Sequence, residues 1–186
     1  MDGSTVTVIC GASGVGKSCV ARPLAVRLGV PLIETDDLVT ALTALTTPQT
    51  HPHLHTWPAG GTPEQIVAHA VAVAAALAPG FRAVIADHLE FRAPAVIEGD
   101  HLTLDLVDGL AGARAVVISE PDEDRIVGNL LDREPAAGPQ RERARVSALH
   151  DAWLTAAARR YGVPVVASRP FDDVLARVER ALLGRP

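Results

Sequence analysis

A three-layer α/β domain built on a five-stranded parallel sheet is the fold class this sequence predicts. Short β-rich runs alternate with longer helical ones along the chain, the pattern of stacked βαβ units. The first of these runs, 5–10, is continuously apolar, as strands buried on both faces are. The length of 186 residues, with no internal repeat, low-complexity tract or linker, suits one domain spanning 1–186 with a sizeable core.

The strand at 5–10 leads through a glycine-rich turn into a helix over 17–28, with Val20, Leu24 and Leu28 on one stripe. Pro23 removes a backbone hydrogen bond inside it and predicts a kink, and Gly29 ends it. A short strand at 31–33 runs into Glu34-Thr35-Asp36-Asp37, where Asp37 is the expected cap of a helix over 38–45. A loop rich in Thr, Pro, His and Gly fills 46–61. Thr62 then caps a helix with Pro63 at its first position. That helix should stop near Ala78 at the Pro79-Gly80 break, and a second piece over 81–91 leads to a strand at 95–98.

A short helix near 102–110 and a strand at 114–119 follow. Pro121 and Asp122-Glu123-Asp124 open the next helix, since negative charge favours an amino end. Its stripe is Ile126, Val127, Leu130 and Leu131, and it stops near Glu134-Pro135. After a Pro/Gly loop at 135–140, a long helix begins in the arginine-rich 141–145, with Val146, Leu149 and Trp153 marking its expected buried face. A strand at 163–167 and an amphipathic helix bearing Val174, Leu175, Val178 and Leu182 complete the chain.

Composition narrows the partners. A net charge of −5 argues against general affinity for nucleic acid or an anionic membrane, both of which need a basic surface. The longest apolar stretch, 71–78, is far short of the about 20 residues that span a bilayer. From Met1 the chain enters its first apolar run without a basic region or cleavage site, so it does not read as a secretory signal. Cys10 and Cys19 lack metal-ligand spacing and suggest no disulfide framework, which makes a reduced cytoplasmic setting the expectation.

Gly11-Ala12-Ser13-Gly14-Val15-Gly16-Lys17-Ser18 matches G-x-x-x-x-G-K-[ST] in full, between a predicted buried strand and an amphipathic helix. The glycines let the backbone curl around phosphate and turn N–H groups inward. The helix that begins here, through Cys19, points its positive dipole end at the anion. Lys17 would sit on the β- and γ-phosphates of a nucleoside triphosphate, and the Ser18 hydroxyl would ligate Mg²⁺. Lys17 is the sole lysine of a chain with sixteen arginines. A slim ammonium on a flexible stem fits between phosphates where a planar guanidinium does not.

Size points away from large motor ATPases, and the lone lysine leaves none for an Asn/Thr-Lys-x-Asp guanine-reading motif. The segment 28–37, a strand ending in two acids one residue apart, resembles shikimate and gluconate kinases. That resemblance implies the three-layer fold of P-loop NTPases, of the nucleoside monophosphate kinase-like type. It also implies Glu34 as the acid that holds Mg²⁺ through water and Asp36 as the base for a substrate hydroxyl. Ala95-Val96-Ile97-Glu98-Gly99-Asp100 resembles the second metal-side motif of small-molecule P-loop kinases. By that likeness Glu98 holds a water on Mg²⁺, with Asp100 as the alternative, and Gly99 turns the chain beside the phosphates. With Pro52-His53-Leu54-His55-Thr56 and His101-Leu102 added, the first 110 or so residues look like the 2-phosphoglycerate kinase family. The arginine-bearing segment which that family carries after the second strand is here Leu38-Val39-Thr40-Ala41-Leu42, so the likeness to its anionic acceptor site stops there.

Arg125, Arg133, Arg141, Arg143 and Arg145 flank the 135–140 loop as lid arginines do in small P-loop kinases. Arg133 is the first candidate for the transferring phosphate and Arg141 the second. The lid would span about 122–145 and the acceptor region about 37–94. Fold analogy puts the loop ending in Pro170 against adenine. His51, His53 and His55 alternate, and an extended strand would set them on one side. They suit an acceptor-site loop, with a zinc site as the lesser alternative and Trp57 as a wall or a core plug. These features together lead to the expectation of an ATP- and Mg²⁺-dependent kinase for a small hydroxylated metabolite. The competing classes are a nucleotide-binding regulator or ATPase without acceptor, and an antibiotic or nucleoside phosphotransferase.

Overall fold

Five parallel strands lie in the order β2-β3-β1-β4-β5: β1 Val6–Cys10, β2 Leu32–Glu34, β3 Ala95–Gly99, β4 Ala113–Ser119 and β5 Val165–Ala167. This computed structural model describes residues 5–184, so Met1, where the reading of the amino terminus starts, lies outside them. Among the described residues seven helices accompany the sheet: α1 Ser18–Leu28, α2 Thr35–Leu45, α3 Pro52–His55, α4 Pro63–Glu90, α5 Glu123–Arg133, α6 Arg141–Tyr161 and α7 Phe171–Leu182. The expected short helix before β4 is a single 3₁₀ turn, Leu104–Val107.

Alternation along the strands divides the core into two layers, because successive side chains point to opposite faces. Val6, Val8 and Cys10 of β1 pack with Val73, Leu77, Phe81 and Ile85 of α4 and Leu154 of α6. Ile9, Val96, Val116 and Ile118 face the other way, onto Val20 and Leu24 of α1 and Val174 and Val178 of α7. A small third cluster, Ile126, Val127, Leu130 and Ala144, joins α5 to α6 beside the sheet. The order reverses at β1, which has β3 on one side and β4 on the other. In open parallel sheets ligands bind at the strand carboxyl ends beside such a reversal.

Four expectations are corrected. The break at Pro79-Gly80 does not occur; α4 runs unbroken for 28 residues. A mid-helix proline costs about 3 kcal/mol, but Val73, Leu77, Phe81 and Ile85 keep one stripe across it and bury it on the sheet. By length and composition this helix is apolar enough to cross a membrane, which the 71–78 stretch alone did not suggest; here it is one of the layers flanking the sheet. Next, α2 starts at Thr35, so Asp37 is not its cap: Asp36 and Asp37 both lie in its first turn and Glu34 takes the cap position. His51, His53 and His55 do not share one side of a strand, because 52–55 coils into α3. Finally, the buried face of α6 is Ala144, Ser147, His150, Asp151, Leu154, Ala157 and Ala158; of the expected face, Trp153 packs half-buried against the core, while Val146 and Leu149 are half-buried and outside it. Buried polar groups carry that face. Asp151 accepts hydrogen bonds from Ser119 Oγ at 2.7 Å and from the Glu120 amide at 3.3 Å, tying α6 to the end of β4.

Candidate functional site

Between β1 and α1 the chain wraps into a loop anchored in the core through Ala12 and Val15, both fully buried. Gly14 and Gly16 adopt φ of 74° and 100°, a region that side chains disfavour. Gly11 is required by proximity instead, since a Cβ there would stand 2.7 Å from the Ile118 carbonyl oxygen. Two distant groups brace the loop. Asn129 of α5 donates to the Gly14 carbonyl at 2.8 Å, and Arg169 donates to Asn129 Oδ1 at 2.8 Å while stacking 4.3 Å over the Phe171 ring. Phe171 in turn packs beneath Gly16. The loop ending in Pro170 therefore adjoins the phosphate loop from the α7 side; Arg177 holds it by donating to the Ala167 and Pro170 carbonyls. Burial pushes the Cys10 thiol up to about 12, so it stays neutral, whereas Cys19 is exposed in the first turn of α1.

Lys17 is 8% exposed, and its ammonium donates to the Ala12 carbonyl at 2.9 Å and to the Asp100 carboxylate. Burial alone would raise the Asp100 pKa; the charge and hydrogen bond of Lys17 outweigh it and hold the group below its ordinary value. Ser18 Oγ donates at 2.9 Å to Glu98, which is buried. Burial pushes the Glu98 pKa up, Lys17 and Ser18 oppose the shift, and the neighbouring Glu34 and Asp100 carboxylates add to it. Glu34 and Glu98 pair in register on β2 and β3, which accounts for their repulsion. The outer carboxylate, Glu34, also meets Arg22 at 2.7 Å.

Gly99 does not turn the chain as expected: it is the last residue of β3, with no left-handed φ. Its missing side chain makes room for Thr35. A Cβ there would overlap Thr35 Oγ1 and lie 2.9 Å from Thr35 Cβ. The close fit locks the end of β3, with Glu98 and Asp100, to the start of α2, next to Glu34.

A cavity of about 590 Å³ opens beside the loop. Ser13, Asp100 and His101 form its phosphate-loop end, α4 and α6 its walls, and Trp57 its rim, with the indole edge-on to His69 at 5.8 Å. His150 is buried in the wall, and desolvation depresses its pKa to about 4 despite the pull of Asp100. Burial lowers the pKa of His101 as well, and its Nδ1 has no hydrogen-bond partner among the described residues.

Of the arginines expected in a lid, Arg143 reaches the loop, donating to Ser13 Oγ at 3.3 Å, and lines the cavity. The two ranked first do neither. Arg133 pairs with Glu134 at 2.8 Å, and Arg141, 73% exposed, pairs with Asp124 at 3.1 Å. Asp36 is exposed and outside the cavity lining, although its charge opposes the lowering of the His101 pKa by burial. Of the histidine segment, His55 meets Thr46 Oγ1 at 3.0 Å and His53 lies 6.4 Å from the His69 ring. Among the described residues no group of three or more His, Cys, Asp or Glu is placed to hold a metal ion. Sequence reading missed Asn129, Arg169, His101 and His150, since nothing local marks a brace or a cavity wall.

Residues 6–151 match the AAA domain family. No curated protein matches the chain. Among solved structures it is similar to a gluconokinase from Sinorhizobium meliloti, with TM-score 0.59 and 18% identity over 98% of this chain and 94% of that one. Similar too is a shikimate kinase from Acinetobacter baumannii in complex with shikimate, with TM-score 0.57 and 13% identity over 97% and 94%. At such identities the likeness is one of fold.

Proposed function

The chain belongs to the AAA domain family, with its phosphate loop inside the matched region, and on that footing we propose that it is an ATP- and Mg²⁺-dependent kinase acting on a hydroxyl of a small molecule. One observation carries the reading. A cavity of small-molecule size opens directly on the phosphate loop, with Ser13 of the loop and the partner of Lys17 in its lining. A hydrolase acting on water alone has no use for that volume. The gluconokinase and shikimate kinase of the same fold are both kinases of small molecules.

In this reading Lys17 exchanges Asp100 for the β- and γ-phosphates. Ser18 would ligate Mg²⁺, with Glu98 and Glu34 holding its waters. A hydroxyl bonded to a buried, repelled carboxylate suits a hard cation that keeps much of its hydration. Bound there, the ion would neutralise charge on the phosphate oxygens. Arg143 stands where the transferring group passes from Ser13 into the cavity. The acceptor oxygen attacks the γ-phosphorus, the bond to the β-phosphate oxygen breaks, ADP leaves, and the hydroxyl proton goes to a carboxylate. Two are candidates: Asp36, within electrostatic reach of His101, and Asp100 in the cavity once Lys17 has turned away. The acceptor region (about 37–94) contributes Trp57, Ile66 and His69, and the lid (about 122–145) Glu142 and Arg143.

The test is ADP release with and without a panel of hydroxy acids, sugars, nucleosides and aminocyclitols, followed by mass spectrometry. An acceptor that raises turnover and gains phosphate supports the kinase. If no compound does either, the protein is a nucleotide-binding regulator or ATPase.

A further inference from the structure

The composition of the cavity bears on what enters it. Resting on the kinase reading, we propose that the acceptor is an uncharged alcohol with an aromatic or alicyclic body, and that sugar acids and phosphorylated alcohols are rejected.

Charge is the first ground. Among the described residues Arg143 is the one arginine in the lining, and its guanidinium already serves both Glu134 oxygens at 3.0 and 3.1 Å, Gln140 at 3.0 Å and Ser13. Two acids, Asp100 and Glu142, share the lining. Burial depresses the pKa of His150 to about 4, so that ring does not offset them. When Lys17 turns to the phosphates, Asp100 loses its counter-charge and faces the cavity as a bare carboxylate. An anionic acceptor would leave water without a free cation to meet it, and unpaired charge is costly to desolvate. Arg133 and Arg141 offer no relief, since each is held by an acid.

Shape is the second ground. Pro63, Ile66, Ala70, Val73 and Val146 make continuous apolar walls, and the Trp57–His69 edge-on pair closes one end. Such a corner favours a flat or apolar body. Ser13, Asp100 and His101 lie at the loop end, where the hydroxyl must sit.

Two acceptor panels decide the matter on the full chain with ATP and Mg²⁺: thymidine, phenylethanediol and inositol against gluconate, shikimate and 3-phosphoglycerate. The best neutral compound should exceed the best anion in kcat/KM by at least about tenfold, ~1.4 kcal/mol. Val146→Arg, which adds a cation to the wall, should narrow or invert that ratio. A preference for an anion overturns the inference and leaves the kinase standing. Should neither panel be phosphorylated, calorimetric titration with a non-hydrolysable ATP analogue present decides the cavity's chemistry. Saturable binding of the neutral compounds only supports it; binding of anions, or of neither class, overturns it.

Discussion

Gly99→Ala is the sharpest probe of how the acids are held. In a strand this change would ordinarily stabilise by about 0.5–1 kcal/mol through reduced backbone entropy. Here the new Cβ would overlap Thr35 Oγ1 and stand 2.9 Å from Thr35 Cβ and 3.2 Å from its Cγ2. Thr35 is fully buried, and its hydroxyl has no hydrogen-bond partner among the described residues. It has no exit to solvent, so β3 and the start of α2 must part. Overpacking of this kind costs about 1–3 kcal/mol, and contact with backbone-proximal atoms argues for the upper end. For a chain of this length that lowers Tm by about 6–12 °C, at roughly 2–4 °C per kcal/mol. Thr35→Ala removes the hydroxyl overlap but leaves the 2.9 Å contact, whereas Thr35→Gly removes both. The double variant Gly99→Ala/Thr35→Gly should therefore be less impaired than the separate effects predict, with a coupling of about 2 kcal/mol in urea unfolding. A Gly99→Ala protein as stable as wild type, or a coupling below about 0.5 kcal/mol, would refute the reasoning.

Lys17→Ala should abolish triphosphate binding in calorimetric titration; unchanged affinity would defeat the assignment of the loop. Arg143→Ala should lower kcat by about 100-fold if its guanidinium meets the transferring phosphate, while Arg133→Ala and Arg141→Ala, exposed pairs, stay within about fivefold; the reverse order in steady-state rates would restore the sequence ranking. The pKa of Glu98 is raised by burial, so the folded state binds its proton more tightly, and stability falls as pH rises through the raised value. Glu98→Gln should therefore raise Tm near neutral pH, with a smaller gain at about pH 4 where glutamate is largely protonated anyway; an equal gain at both would disprove the shift. Asp36→Asn and Asp100→Asn divide the proton acceptor between them: the true base loses phosphoryl transfer with nucleotide binding kept, and two variants of normal rate would exclude both.

What was legible in the sequence was what neighbours in the chain decide. β1 and β3 were readable because both faces are buried and their apolar runs are nearly continuous. Thr62 announced its helix because a cap is local: it accepts from the Gln65 amide at 3.3 Å, while Gln65 reaches back at 2.9 Å. The phosphate loop was readable for the same reason. Pro79 misled because its local cost was visible while the sheet that offsets it was not. The contacts that shape the site bridge long separations: Lys17 to Asp100 across 83 positions, Asn129 to Gly14 across 115, and Arg143 to Ser13 across 130. No window of sequence contains such pairs.

Which arginine of 141–145 meets the phosphate loop is decided by something no local pattern displays, the phase of one helix. Residues advance about 100° each around a helix, so Arg141 and Arg145 share a direction and Arg143 points nearly opposite. Which direction meets the phosphate loop depends on the buried face. Taking Val146, Leu149 and Trp153 as that face follows the usual rule that apolar residues go inside. In α6 the inward positions include Ser147, His150 and Asp151, and Asp151 is held there by Ser119 and Glu120. That polar anchor sets the rotation. Once it does, Arg143, Ser147 and His150 fall at i, i+4 and i+7 along one line, and all three line the cavity. The arginine that meets Ser13 is thus chosen by an aspartate eight residues further along, whose partners lie at the end of β4.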